Sequence, residues 1–212
     1  MLKKIFSQEG FLWKSLNFLT DIVFLSVIWF LLCLIVIPAG PATTALYDAV
    51  AHGFRRREPD VYPRFFRTFK KEFKTASLSG LLWGSLILVS VLTVRYLLAL
   101  GETSRSAFAA GIAYYVVLIV PLGSACWVFP ILSRFCFNFR SLNMTALRFT
   151  FAFLPRTLIL VLMTIEVLQW ALNDLYPFIF MPALTMLLWS LFIEPVFTKF
   201  ENTQTENNDI ES

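Results

Sequence analysis

Five stretches of the chain are apolar almost without interruption, at residues 22–37, 78–100, 108–132, 157–172 and 178–193. A helix needs about 20 residues to cross the hydrocarbon core of a bilayer, with roughly 17–25 usable. The second and third stretches reach that length directly. The other three reach it when flanking Trp, Tyr, Asn and Lys carry the helix into the headgroup layer, and the first also extends back through 16–19. The pattern predicts an all-α, polytopic transmembrane bundle of about five spans, a single membrane-embedded domain over 1–200, with a polar, disordered tail at 201–212. The first stretch is not read as a cleaved signal, because it starts too far along the chain and is followed by a proline-crowded Pro38-Ala39-Gly40-Pro41-Ala42.

Basic residues alternate between the connections. Arg55, Arg56, Arg57, Arg64, Arg67, Lys70, Lys71 and Lys74 lie between the first two stretches, and Arg134, Arg140, Arg148 and Arg156 between the third and fourth. Only Arg105 lies between the second and third, and none between the fourth and fifth. By the positive-inside rule, loops 39–77 and 133–156 are cytoplasmic and so is the tail. Lys3, Lys4 and Lys14 conflict with this, since one crossing by the first stretch would place them outside. They return inside if 42–54 folds back as a re-entrant helix, so the side of the N-terminus stays open.

The first basic loop has a helical period. At 100° per residue, Tyr62, Phe65, Phe66, Phe69 and Phe73 fall within an arc of about 100°, and Arg64, Arg67, Lys70, Lys71 and Lys74 within about 120° on the other side. This predicts an amphipathic interfacial helix on an anionic inner leaflet, with its basic face a lipid or partner surface. The shared aromatic stripe argues against nucleic-acid binding. In the third loop, Ser141 is positioned to cap a second surface helix from Leu142 to about Phe153.

Composition agrees with a lipid setting. Hydrophobic residues make up 58% and charged residues 15%, with 23 Phe, whereas soluble domains carry about 25% charged residues. Polar residues inside the apolar stretches therefore need a reason. Glu166, Gln169 and Asn173 recur at helical spacing and form a candidate polar site facing the bundle, with Arg95 either a partner or a side chain reaching to the outer interface. Gly80 and Gly84, one turn after Ala76, allow close helix approach, within the molecule or along a homodimer seam. His52 is read as a solvated helix end that could pair with Asp48. Cys33, Cys126 and Cys136 have no metal-like spacing and are read as small apolar residues. No phosphate-binding, metal or nucleophile motif is present, so no catalytic, cofactor or metal residues are assigned and no enzyme is expected.

The segment Ile37-Pro38-Ala39-Gly40-Pro41-Ala42-Thr43-Thr44-Ala45-Leu46-Tyr47, followed by Phe65-Phe66-Arg67-Thr68-Phe69-Lys70-Lys71-Glu72-Phe73-Lys74, resembles the YesL (DUF624) family of bacterial membrane proteins. The resemblance extends to Val128-Phe129-Pro130 and Leu154-Pro155. It implies a small polytopic plasma-membrane protein, with members often encoded beside carbohydrate uptake systems, and hence an accessory or regulatory role with transporter subunits as partners. It assigns no catalytic residues. A small-solute transporter built around Glu166 is the alternative. Physically, Pro38, Gly40 and Pro41 are expected to end the first helix and Thr43 or Thr44 to cap a new one at Ala45, whose N-terminus could meet an anion or a sugar.

Overall fold

The computed structural model describes residues 11–55, 60–102, 104–135, 137–173 and 179–211, and of 11–19, 54–55, 171–172 and 200–211 the backbone alone. Lys3, Lys4, Arg56, Arg57 and Cys136 lie outside the described residues. Every element found is a helix: α1 Phe11–Cys33, α2 Val36–Val50 with a π-helical turn Ala51–Arg55, α3 Val61–Leu100, α4 Arg105–Arg134, α5 Phe139–Ala152, α6 Leu154–Asn173 and α7 Met181–Glu211.

By length and composition, α3, α4 and Met181–Lys199 of α7 can each cross a membrane. The pair α5 and α6 adds a fourth crossing if taken as one broken span, bent by 103°. Among the described residues three or four helices thus meet this test, and the first apolar stretch is divided between two helices. Its helix ends at Cys33, and after a break at 34–35 the chain reverses into α2, a helix of 15 residues. Trp29 Nε1 of α1 donates to Thr43 Oγ1 of α2 at 3.1 Å. Tyr62 OH donates to Asp21 Oδ1 at 2.6 Å. These bonds hold α1 and α2 as a helical hairpin whose two open ends both lie near the start of α3.

The reversal comes earlier than the prolines suggest. Pro38 falls within the first turn of α2, where its missing N–H costs nothing, and Pro41 is accommodated inside the helix. Thr43 and Thr44 are therefore not caps. Their hydroxyls donate back to the carbonyls of Ala39 (2.7 Å) and Gly40 (3.2 Å). The N-terminus of α2 sits instead beside exposed Leu34, Ile35, Val36 and Ile37, an apolar tip with no polar surroundings for an anion or a sugar.

Helix α2 is the core of the molecule. Pro38, Gly40, Pro41, Thr44 and Tyr47 are all buried and Thr43 is half-buried. A Cβ on Gly40 would sit 2.3 Å from the carbonyl oxygen of Ala76, and one on Gly80 would sit 3.3 Å from the Gly40 Cα. Gly40 and Gly80 thus form the crossing point of α2 and α3. Gly80 is used within the chain at this crossing, whereas Gly84 faces open space.

Helix α3 has 40 residues, about 60 Å at 1.5 Å per residue, twice the hydrocarbon thickness of about 30 Å. The amphipathic segment 62–74 is consequently no separate interfacial helix. It is the same helix as the span, because no Gly or Pro separates Lys74 from Leu78. All but one of its buried positions (Val61, Phe65, Glu72, Ala76, Ser79, Trp83, Ser90, Val94; Ser77 lies beside them) continue one stripe from the basic half into the apolar half. Helix α5 is a separate element, bent by 103° from α6. It starts at Phe139 after Asn138, so Ser141 lies inside it and does not cap it. Helix α7 continues through Glu211, so 201–211, expected to be disordered, is helical backbone.

Candidate functional site

At the basic end of the bundle, α2 places Asp48 against two residues one turn apart on α3. Asp48 Oδ2 accepts from Arg64 Nε at 3.1 Å and from Thr68 Oγ1 at 2.5 Å. One turn on, His52 Nδ1 lies 3.1 Å from the Asp48 carbonyl oxygen and 3.0 Å from Oδ1. Both neighbours are acceptors, so Nδ1 carries the proton. It is aligned as a hydrogen bond with the carbonyl and meets only the distance with Oδ1, which remains buried and short of a donor. Burial alone would raise the Asp48 pKa. The contacts with His52 and Thr68 and the charge of Arg64 outweigh it and hold the carboxyl below its ordinary value of 3.8.

This lock has two consequences. Arg64 is committed to Asp48 and does not belong to the free basic surface. His52 is buried, not a solvated helix end: the pairing with Asp48 allowed by their spacing forms, but in the interior. Arg67, Lys70, Lys71 and Lys74 remain exposed on the same helix, with Lys71 Nζ 3.2 Å from Glu72 Oε1. Of the aromatic stripe, Phe65 is fully buried, Phe66 and Phe73 are exposed, and Tyr62 and Phe69 are intermediate.

Further contacts stiffen this face. Arg134 at the end of α4 pairs with the buried Glu194 of α7 at 2.8 Å. Trp83 Nε1 donates to Asn143 Oδ1 at 2.7 Å, and Asn143 Nδ2 to Ser79 Oγ at 3.2 Å, tying α3 to α5. The α5–α6 bend is held by Trp127 Nε1 donating to Thr157 Oγ1 at 2.9 Å. Gly123 lets α4 close on that bend, where a Cβ would sit 2.5 Å from Thr157 Cγ2. Trp127 also packs edge-on against Phe149, and Phe135 against Phe197.

The residues expected to form an internal polar site do not do so. Glu166, Gln169, Trp170 and Asn173 are exposed on the outer face of α6, and Arg95 is exposed on α3. No ion pair joins Arg95 to Glu166 among the described residues. The helical spacing correctly put the polar residues of α6 on one side; which side depended on the neighbours of α6. The acids that are buried, Asp48, Glu72 and Glu194, have no such role in the sequence reading. The one signal that could have found Asp48 is its place at i−4 from the sole histidine.

Two hollows lie higher in the bundle. A cleft of about 260 Å³ is bounded by α1, α2, α3, α4, α6 and α7 and lined almost wholly by apolar side chains. A groove of about 440 Å³ runs between α6 and α7, with Glu166 the one charged side chain on its wall. Neither is a polar cavity. No group of three or more His, Cys, Asp or Glu that could hold a metal occurs among the described residues.

No curated protein and no solved structure matches the chain. Residues 22–94, which contain the whole Asp48 lock, match the model of a family described as Protein of unknown function, DUF624, the family that the 37–47 segment resembles.

Proposed function

We propose that the chain is a non-catalytic accessory protein of the bacterial plasma membrane that docks a component of a carbohydrate-uptake system on its cytoplasmic, basic face. The observation that carries this reading is the form of α3. Arg67, Lys70, Lys71 and Lys74 are exposed on a helix continuous with a membrane span, and the Asp48 lock fixes that half of the helix to the buried α2. A flat lipid anchor needs no such fixing, because the leaflet itself orients it. A pre-ordered basic surface lowers the ordering cost of binding an acidic partner and speeds its encounter. The link to carbohydrate uptake rests on the family resemblance. The alternative, a transporter working through Glu166, is less well supported, since that carboxylate is exposed on the outer face of α6 and the hollows are apolar.

The test is affinity purification of the tagged protein from its native membrane in mild detergent, with mass spectrometry of its companions. Sugar-transport subunits are expected with the wild type, and their recovery is expected to fall at least tenfold when Arg67, Lys70, Lys71 and Lys74 are all changed to Gln. Unchanged recovery by that variant would sink the docking surface, and recovery of the protein alone would sink the accessory role.

A further inference from the structure

We infer that α5 lies along the leaflet at the basic end of the bundle and binds the headgroups of anionic phospholipids through Arg140 and Arg148. The sequence supplies the charge. Between Glu102 and Glu166 there is no acidic residue, and every basic residue is an arginine, whose planar guanidinium matches phosphate geometry. The structure then sorts these arginines. Arg105 opens α4 at its turn with α3, Arg134 is paired with Glu194, and Arg156 is half-buried over the Phe153 ring at 5.9 Å. Arg140 and Arg148 are exposed and form no ion pair among the described residues.

Three observations point to lipid as the partner. The first is the exposed face itself. Arg140, Met144, Arg148 and Phe151 follow at intervals of four, four and three residues, so they stand in one line along α5, while Leu142, Ala146, Phe149 and Thr150 on the other side are buried. Arginines alternating with exposed apolar side chains fit the boundary between headgroups and acyl chains, where the guanidinium meets phosphate and its stem stays in apolar surroundings. The second is direction. Helix α6 has 20 residues, about 30 Å, which is enough for the hydrocarbon core without α5. Because α5 is bent from it by 103°, α5 runs nearly in the plane of a leaflet that α6 crosses. The basic half of α3 instead continues its own span and so leads out of the leaflet. The third is level. Asn143 of α5 bonds Ser79 and Trp83, at the place where α3 changes from basic to apolar after Lys74. A helix at that level, in that plane, meets phosphate groups before any soluble protein. None of the docking residues of α3 takes part.

The experiment offers phosphatidylglycerol and phosphatidylcholine in equal amounts to the full-length protein in mild detergent and counts bound lipid by native mass spectrometry. The wild type is expected to hold phosphatidylglycerol at least threefold over phosphatidylcholine. Arg140→Gln with Arg148→Gln, both exposed, is expected to cut that preference at least twofold, and the fourfold Gln variant of α3 to leave it unchanged. A second measurement reads position. With Cys33, Cys126 and Cys136 changed to Ala, a nitroxide on Met144→Cys in phosphatidylglycerol nanodiscs is expected to collide with oxygen more than with a water-soluble nickel complex, and one on Lys70→Cys the reverse. Equal binding of the two lipids by the wild type overturns the proposal, as does a preference that survives the α5 variant or is lost only in the α3 variant. A Met144→Cys label open to nickel also overturns it and would make α5 a surface for a soluble partner.

Discussion

Among single residues, the sequence ranks the acids by the wrong criterion. Glu166 stands out because it interrupts an apolar run, where a charge costs about 2.5–3.5 kcal/mol on insertion scales. Yet it is exposed, while Asp48 and Glu194 are buried and paired. An apolar run tells what surrounds a helix only if the helix has one lipid face, and the face cannot be located without the neighbours. The Asp48 lock makes a definite prediction. Asp48→Asn leaves Arg64 without its counter-charge and is expected to cost about 2 kcal/mol, below the 3–5 kcal/mol of a fully buried pair because Arg64 is partly open. Because folding lowers the Asp48 pKa, its contribution is complete above the unfolded value, near 3.8, and is lost as pH falls through the folded one. Thermal unfolding in detergent from pH 7 down to pH 3 should therefore show the wild type converging on Asp48→Asn at the acid end. Coincident curves over that whole range would show that the lock gives no stability, and a constant gap would show that its contribution does not come from the ionised carboxylate.

At the level of elements, the helices were legible and their junctions were not. The apolar runs gave α3, α4, α6 and the membrane part of α7 nearly as they are, because each is long and strongly apolar. The prolines misled. Pro38 falls in the first turn of α2, Pro41 lies inside the helix without ending it, and the reversal needed no proline. The basic, aromatic segment looked separate because its composition changes at Lys74, but composition does not end a helix without a breaker. The α2–α3 crossing offers a test with an internal control. A side chain on Gly40 would meet the backbone of Ala76, which cannot swing aside, so Gly40→Ala is expected to destabilise by about 1–3 kcal/mol. Gly84→Ala meets nothing and gains helix propensity, so it should be neutral or stabilising by up to about 1 kcal/mol. Unfolding of both variants in the same detergent decides the matter, and equal effects would mean that α2 does not cross α3 at Gly40.

For the whole molecule, the hairpin makes a prediction about the side on which Lys14 lies. With α1 and α2 reversing at 34–35, Asp21 of α1 and Asp48 of α2 lie at one end of the bundle, where they bond Tyr62 and Arg64 at the start of α3. The hairpin predicts Lys14 and the basic half of α3 on one side of the membrane, and α7 returns to that side if the bent pair counts as one of four crossings. The bundle is therefore polarised: a basic end fixed by the Asp48 and Glu194 pairs, and an apolar middle that the short hairpin leaves partly open. Labelling distinguishes this from a single crossing by the first helix. In sealed right-side-out vesicles, Lys14→Cys and Lys70→Cys should both be protected from a membrane-impermeant maleimide and react only after permeabilisation, while Glu102→Cys in the α3–α4 turn should react at once. If Lys14→Cys reacts together with Glu102→Cys, the first helix crosses once and the hairpin is wrong. The cleft would then have no origin, because it is the space left when α1 stops short.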